Sequence, residues 1–234
     1  LDYIIRHTGF KEEEIAVVGD RIYTDIAIAN GTKALSIMVL TGETQLEDLD
    51  QYDFRPDIIH CNDWQTGMIP LICHACYADD QRYQQIKHVY TIHNLAFQGN
   101  FGVDMLPTCL GLDYYYFDNG SIKFDTGISF MKAGIVYADK ITTVSPTYAN
   151  EILTEAFGER MDSILRYRRD DLWGIVNGID TDTWNPKTDP HLAKNYDLRS
   201  YVSGKKANKT ALQEELGLEV RDDVPLIGLV SRLT

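Results

Sequence analysis

Apolar and polar positions follow two rhythms along this chain, and the change of rhythm between residues 56 and 101 is its most informative stretch. Asp57 to His60 is a short apolar run closing on polar residues, the pattern of a buried parallel strand at its carboxyl end. From Trp64 to Ala78 the apolar positions Met68, Ile69, Leu71, Ile72, Ala75 and Cys76 recur at helical spacing, with Pro70 in the early turn. His88 to Ile92 is a second β-rich run, and it too closes on polar groups, His93 and Asn94. The pattern predicts a strand–helix–strand unit with Asn62, Asp63, Trp64, His93 and Asn94 gathered at the carboxyl ends of its strands. Open α/β sheets bind ligands at that edge.

The same two rhythms continue on either side. Leu1 to His7 predicts the tail of an amphipathic helix stopped by Gly9, and Ile15 to Val18 a strand. Thr24 to Asn30 predicts a helix closed by Gly31, and Leu35 to Leu40 another strand. Downstream, Asp79 to Gln85 reads as an exposed polar loop and Gly99 to Gly102 as a turn. The aromatic cluster Tyr114 to Phe117 fits core packing and loop anchoring, with a sugar-stacking surface as the alternative. Ile128 to Ala138 is amphipathic and Lys140 to Val144 is a strand. Ser145 and Pro146 then start a helix, the serine as cap and the proline in the first turn. Arg166, Arg168 and Arg169 read as a solvated basic patch, and Asn177-Gly178 as a turn. Lys205 to Leu216 predicts a helix with Leu212 and Leu216 on its apolar face and Gly217 as its stop; Leu226 to Val230 predicts a further strand.

Composition narrows the function classes. The 234 residues are 44% hydrophobic, enough for a core, and carry a formal charge of −13. That charge argues against nucleic acid, whose backbone calls for clustered Lys and Arg; a neutral glucan or a small metabolite fits better. No apolar run approaches the roughly 20 residues that cross a bilayer, so no membrane partner is expected, and no signal-peptide pattern opens the chain. Four cysteines occur, at 61, 73, 76 and 109. Cys73 and Cys76 lie on a predicted helix with no second pair, which favours buried, reduced thiols and a reducing, cytoplasmic setting over zinc or redox chemistry.

Several of these segments carry a resemblance. HCNDWQTG followed by TIHNLAFQG, then FMKAGIVYADKITTVSPTYANEI, GIVNGIDTDTWNP, KANKTALQEELGL and PLIGLVSRLT, resembles bacterial glycogen synthases and plant starch synthases, in the family's order over about residues 52–234. The resemblance implies a two-domain GT-B glycosyltransferase built from Rossmann-like, doubly wound parallel sheets. It implies transfer of glucose from ADP-glucose to the non-reducing end of an α-1,4-glucan such as glycogen, with retention and without a cofactor. Carried over residue by residue, it makes His93 and Asp63 catalytic, and gives Trp64, Asn94, Asn177 and Arg232 to substrate, Arg232 on the diphosphate.

Residues 1 to about 50 do not fit that family. VVGDRIYTDIAIANG with SIMVLTGET resembles the last motif of haloacid-dehalogenase-like sugar phosphatases, in which the carboxylates matching Asp20 and Asp25 help hold Mg²⁺. The D-x-D motif that carries the nucleophilic aspartate of such enzymes should precede Asp20 and does not; Asp180 to Thr183 spells D-x-D-x-T but lies downstream of Asp20, out of the family's order. The expected organisation is a phosphatase-like βαβ segment over 1–50, an incomplete synthase N-terminal domain over 51–220, and the first strand of a second domain over 221–234. The chain opens on Leu1 and stops at Thr234, so it is expected to be a fragment or chimera with little activity alone. A Mg²⁺-dependent sugar-phosphate phosphatase and a non-catalytic glucan-binding fragment are the alternatives.

Overall fold

A computed structural model describes residues 5–6, 9–19, 21, 26–29, 31–39 and 56–231. Asp20, Asp25 and Arg232 lie outside the described residues. The chain divides into two compact units, Leu1–Asn177 and Gly178–Thr234.

In chain order the first unit contains β1 (Ala16–Gly19), β2 (Leu35–Val39), β3 (Ile58–Asn62), α1 (Ile69–Cys76), β4 (Lys87–Ile92), β5 (Asn100–Phe101) and α2 (Tyr115–Asp118). There follow β6 (Lys123–Phe124), β7 (Gly127–Ser129), α3 (Phe130–Tyr137), β8 (Lys140–Thr143), α4 (Pro146–Glu151), α5 (Asp162–Tyr167) and β9 (Leu172–Gly174). Six strands form one parallel sheet in the order β1-β2-β3-β4-β8-β9, and β5, β7 and β6 form a small antiparallel sheet. The expected parallel α/β architecture is present, with the described strands of the main sheet lying in chain order. The segment set apart by sequence is part of that sheet. β2 pairs in register with β3 (Ile37↔Ile58, Met38↔Ile59, Val39↔His60), so no physical seam separates the first strands from the rest.

Strand alternation sends Ile59, Cys61, Tyr90, Ile92 and Ile141 to one face, where each is fully buried. Met131 and Ile135 of α3 and Leu165 of α5 complete that core. A second buried cluster, with Leu71, Leu106, Ile122 and Ile128, fills the space between α1, α3 and the small sheet. Gly134 lets α3 settle on the sheet: a Cβ there would lie 2.6 Å from the Tyr90 ring. The other face of the sheet carries a polar rung. His60 Nε2 and Thr91 Oγ1 are 2.6 Å apart, and Thr91 Oγ1 and Thr142 Oγ1 also 2.6 Å.

Several expectations about local structure hold. Gly9 adopts φ +74° and its N–H donates to the Ile5 carbonyl at 2.9 Å, a left-handed helix stop. Ser145 caps α4, its Oγ accepting from Tyr148 N at 2.9 Å, with Pro146 in the first turn.

Others are corrected. Gly99 to Gly102 is not a free turn: Asn100 and Phe101 form β5, paired antiparallel with β7. In the Asp79–Gln85 segment Tyr83 is buried, its ring 4.6 Å from that of Tyr77. Cys76 and Cys109 are exposed while Cys61 and Cys73 are buried; all four are free. Burial, with Cys76 adding to it, pushes the Cys73 thiol up to about 12, so it stays protonated and inert. Arg168 is no solvated patch residue. Its guanidinium donates to the carbonyls of Ile135, Val136 and Ala138 at 2.7, 2.8 and 2.7 Å, which satisfies the carbonyls left open at the end of α3.

The second unit is built around α6 (Tyr201–Glu215). Leu212 and Leu216 are exposed, contrary to expectation; the buried positions of this helix are Gly204 and Gln213. A Cβ on Gly204 would lie 2.3 Å from Tyr196, so the contact is backbone on aromatic ring. Asp180 closes a local turn, accepting from the backbone of Asp182 and Thr183 and from the Thr183 hydroxyl; these bonds, Thr183 first, hold its carboxyl below the usual carboxylate range. Leu226 to Val230 forms no strand; among the described residues no neighbouring strand takes up its backbone groups. Among the described residues no helix is long and apolar enough to cross a membrane, and no group of three or more His, Cys, Asp or Glu could hold a metal ion.

Candidate functional site at the carboxyl edge of the sheet

The parallel pairing of β3 with β4, from Ile58↔Lys87 to Asn62↔Thr91, brings two loops to the same edge. The ladder continues one residue further, Asp63 N–H donating to the Thr91 carbonyl at 2.9 Å. Asp63 then leaves the strand at φ +54°, ψ −172°, a conformation unfavourable for a residue with a side chain and typical of functional sites. The turn is secured from within: Thr66 Oγ1 accepts from Asn62 N at 2.6 Å and donates to Asn62 O at 2.8 Å.

Across the edge, His93 is held twice. Its backbone N–H donates to Asp63 Oδ1 at 2.8 Å, and its ring Nε2 lies 2.9 Å from Asn62 Oδ1. The imidazole itself remains exposed. Asn94 turns its side-chain oxygen onto the Ala96 N–H at 3.0 Å, folding the loop back. Leu95 N–H donates to the Tyr148 hydroxyl at 3.1 Å, and Thr143 Oγ1 donates to the Ile92 carbonyl at 2.7 Å. The loop after β4 is thereby tied to α4 and β8.

Trp64 is half-buried, its ring 5.8 Å from Phe101 and 6.5 Å from Phe130. Gly99, at φ +59°, lies against it; a Cβ there would stand 2.5 Å from the indole. Both the left-handed backbone and the lack of room require glycine at this point. The indole therefore wedges the β3 turn against the small sheet.

The electrostatics follow from burial and proximity. Burial lowers the His60 pKa, and the neighbouring His93 lowers it further, since a like charge close by disfavours the charged form. Below the site, burial raises the Tyr90 hydroxyl well above its usual value, with Asp63 and Cys61 adding to it; among the described residues that hydroxyl has no hydrogen-bond partner.

The structure thus brings together Asp63, Trp64, His93 and Asn94 on one edge. Asn177 is an exposed residue at the end of the first unit, with no described bond to them. Cavities of about 380 and 410 Å³ lie elsewhere, one beside α3 and α5 at Lys132 and Tyr167, the other at Asp57 and Arg82. The Tyr114–Phe117 cluster is divided: Tyr114 and Tyr115 are exposed, while Tyr116 and Phe117 pack on the second core cluster. Sequence reasoning did not single out Asn62 as the anchor of the His93 ring, Thr66 as the staple of the turn, or Tyr148 as the tether of the following loop. The hydroxyl four residues after Asn62 was the available signal for Thr66. Nothing local marks the other two, whose partners are 31 and 53 residues away.

A parallel α/β sheet with its polar groups at the carboxyl edge defines a ligand-binding α/β protein. Its family is given by comparison: a model of the starch synthase catalytic domain matches residues 4–167, and the chain belongs to that family. Among its relatives, a glycogen synthase of Clostridium perfringens is 54% identical over 189 residues, covering 81% of this chain and 39% of the relative. A glycogen synthase of Streptococcus sanguinis is 51% identical over 189 residues, 81% of this chain and 40% of the relative. The catalytic domain of starch synthase IV from Arabidopsis thaliana, solved bound to ADP and acarbose, superposes with a TM-score of 0.64 at 36% identity, over 76% of this chain and 36% of that one. The chain spans about two fifths of the length of these curated relatives. The family match begins at residue 4 and so takes in β1 and β2; the phosphatase resemblance of residues 1–50 finds no support in these comparisons.

Proposed function

We propose that this chain carries the sugar-side part of a glycogen (starch) synthase, an enzyme that transfers glucose from ADP-glucose to the non-reducing end of an α-1,4-glucan with retention. The observation that carries the reading is the gathering of Asp63, His93 and Asn94 on one sheet edge, within a chain of the starch synthase family. Support for the ligand classes comes from the Arabidopsis relative, which was solved with ADP and acarbose.

In this reading His93 and Asp63 work at the transferring glucose, Trp64 and Asn94 shape its pocket, and Asn177 and Arg232 are assigned to substrate, Arg232 to the diphosphate. The transfer itself uses no cofactor: donors from side chains, Arg232 among them, offset the charge of the departing diphosphate. One arginine holds a diphosphate weakly, so the 234 residues alone turn over little. The setting is the cytoplasm, where the four free cysteines stay reduced.

The test is titration of the isotopically labelled chain with ADP-glucose and with maltohexaose. Shifts at the His93 and Asn94 side chains are expected, while incorporation of labelled glucose into glycogen stays near background. Resonances of both residues that stay unmoved by either ligand would sink the assignment.

A further inference from the structure

We propose that Asn62 is a positioning residue for the His93 imidazole. By accepting from Nε2–H it fixes the tautomer and orientation of an exposed ring, leaving Nδ1 as a bare acceptor facing the site edge. The inference deepens the reading of this edge as a sugar site and rests on it for its meaning.

Three observations carry it. The Asn62 Oδ1 to His93 Nε2 distance is 2.9 Å, and an acceptor at that nitrogen requires the proton to sit there. Second, the imidazole is exposed, so packing does little to orient it and the hydrogen bond is what sets its direction. Third, the anchor is itself rigid. Asn62 is the last residue of β3, paired with Thr91, and its backbone N–H and carbonyl are both engaged by the buried Thr66. The grip on His93 is therefore double, with Asp63 on its backbone N–H and Asn62 on its ring. Two consecutive residues of one strand end fix one residue of the next. Among the described residues Nδ1 has no partner, which leaves it as the ring atom able to accept from a sugar hydroxyl.

The test uses the whole chain, with ¹⁵N labels in the imidazoles. In the wild type, His93 should show a protonated Nε2 and a bare Nδ1, and its Nε2–H should exchange with solvent more slowly than that of the exposed His191. Asn62→Leu removes the acceptor while keeping the same branched heavy-atom count and should bring the two nitrogen shifts toward each other, as the tautomers average. Asn62→Asp keeps an acceptor and should restore the wild-type pair. A wild-type His93 in the Nδ1–H form overturns the proposal without any variant. So does Asn62→Leu leaving both shifts unchanged at an unaltered unfolding midpoint. The sugar reading is scored separately: maltohexaose should move Nδ1 in the wild type and bind about tenfold more weakly to Asn62→Leu, the worth of one well-made hydrogen bond. If the tautomer responds to Asn62 but Nδ1 ignores the sugar, the positioning role stands and the substrate assignment falls.

Discussion

Two stretches of this molecule share an apolar, β-rich pattern and end differently. Ile58 to Asn62 is a central strand with Ile59 and Cys61 wholly buried. Leu226 to Val230 is irregular, with Ile227 87% and Leu229 90% exposed. The difference is in their neighbours. β3 has β2 on one side and β4 on the other to take its backbone bonds, and helices cover its apolar face. Among the described residues, 226–230 have neither, and an apolar run without ladder partners gains little by extending. A hydrophobic pattern states a capacity for strand; the rest of the sheet decides whether it is used.

The largest effect that would break the contrast is in the central sheet. Ile92→Ala removes a fully buried side chain from β4 and should lower stability by about 2–5 kcal/mol through lost burial and the cavity left behind. Chemical denaturation checks it, and a loss below about 0.5 kcal/mol, the size of a surface effect, would mean that this core is loosely packed. Next, Gly99→Ala strains a left-handed residue and drives a methyl group against Trp64. A loss of about 2 kcal/mol is expected, together with a change in tryptophan fluorescence as the wedge shifts.

A smaller effect appears with pH. His60 and His88 are both lowered below the free-imidazole value of 6.5, chiefly by burial. As pH falls through 6.5 the unfolded chain therefore binds protons before the folded one. Stability declines over that interval and levels off below the folded-state values. Unfolding midpoints measured from pH 7.5 downward should show the slope, and His88→Gln should flatten part of it. Rising stability toward lower pH in that window would contradict the burial of these rings. Smallest of all, Ile227→Ser exchanges an exposed side chain and should stay within about 0.5 kcal/mol of wild type; a larger loss would show that this run is packed after all.

Two of the local readings that hold have local causes. Ser145 caps α4 because serine before proline satisfies an open N–H within three residues. Gly9 stops a helix because it tolerates φ +74°. The readings that failed have distant causes. Asn100 and Phe101 form a strand because Ile128 and Ser129 come alongside. Arg168 is drawn inward by the open carbonyls of α3. Leu212 and Leu216 keep the spacing of an apolar face, yet both are exposed among the described residues.

The order of residues by itself determined the parallel α/β character, the strand ends that carry Asp63, His93 and Asn94, and the family, because these depend on short-range periodicity and on motifs. Tertiary structure alone decided that His93 is gripped by Asn62 and Asp63, that Trp64 serves as a wedge over Gly99, and that the first two strands join one continuous sheet. Each of these is a contact between segments far apart in the chain, and no local pattern encodes the partner at the other end.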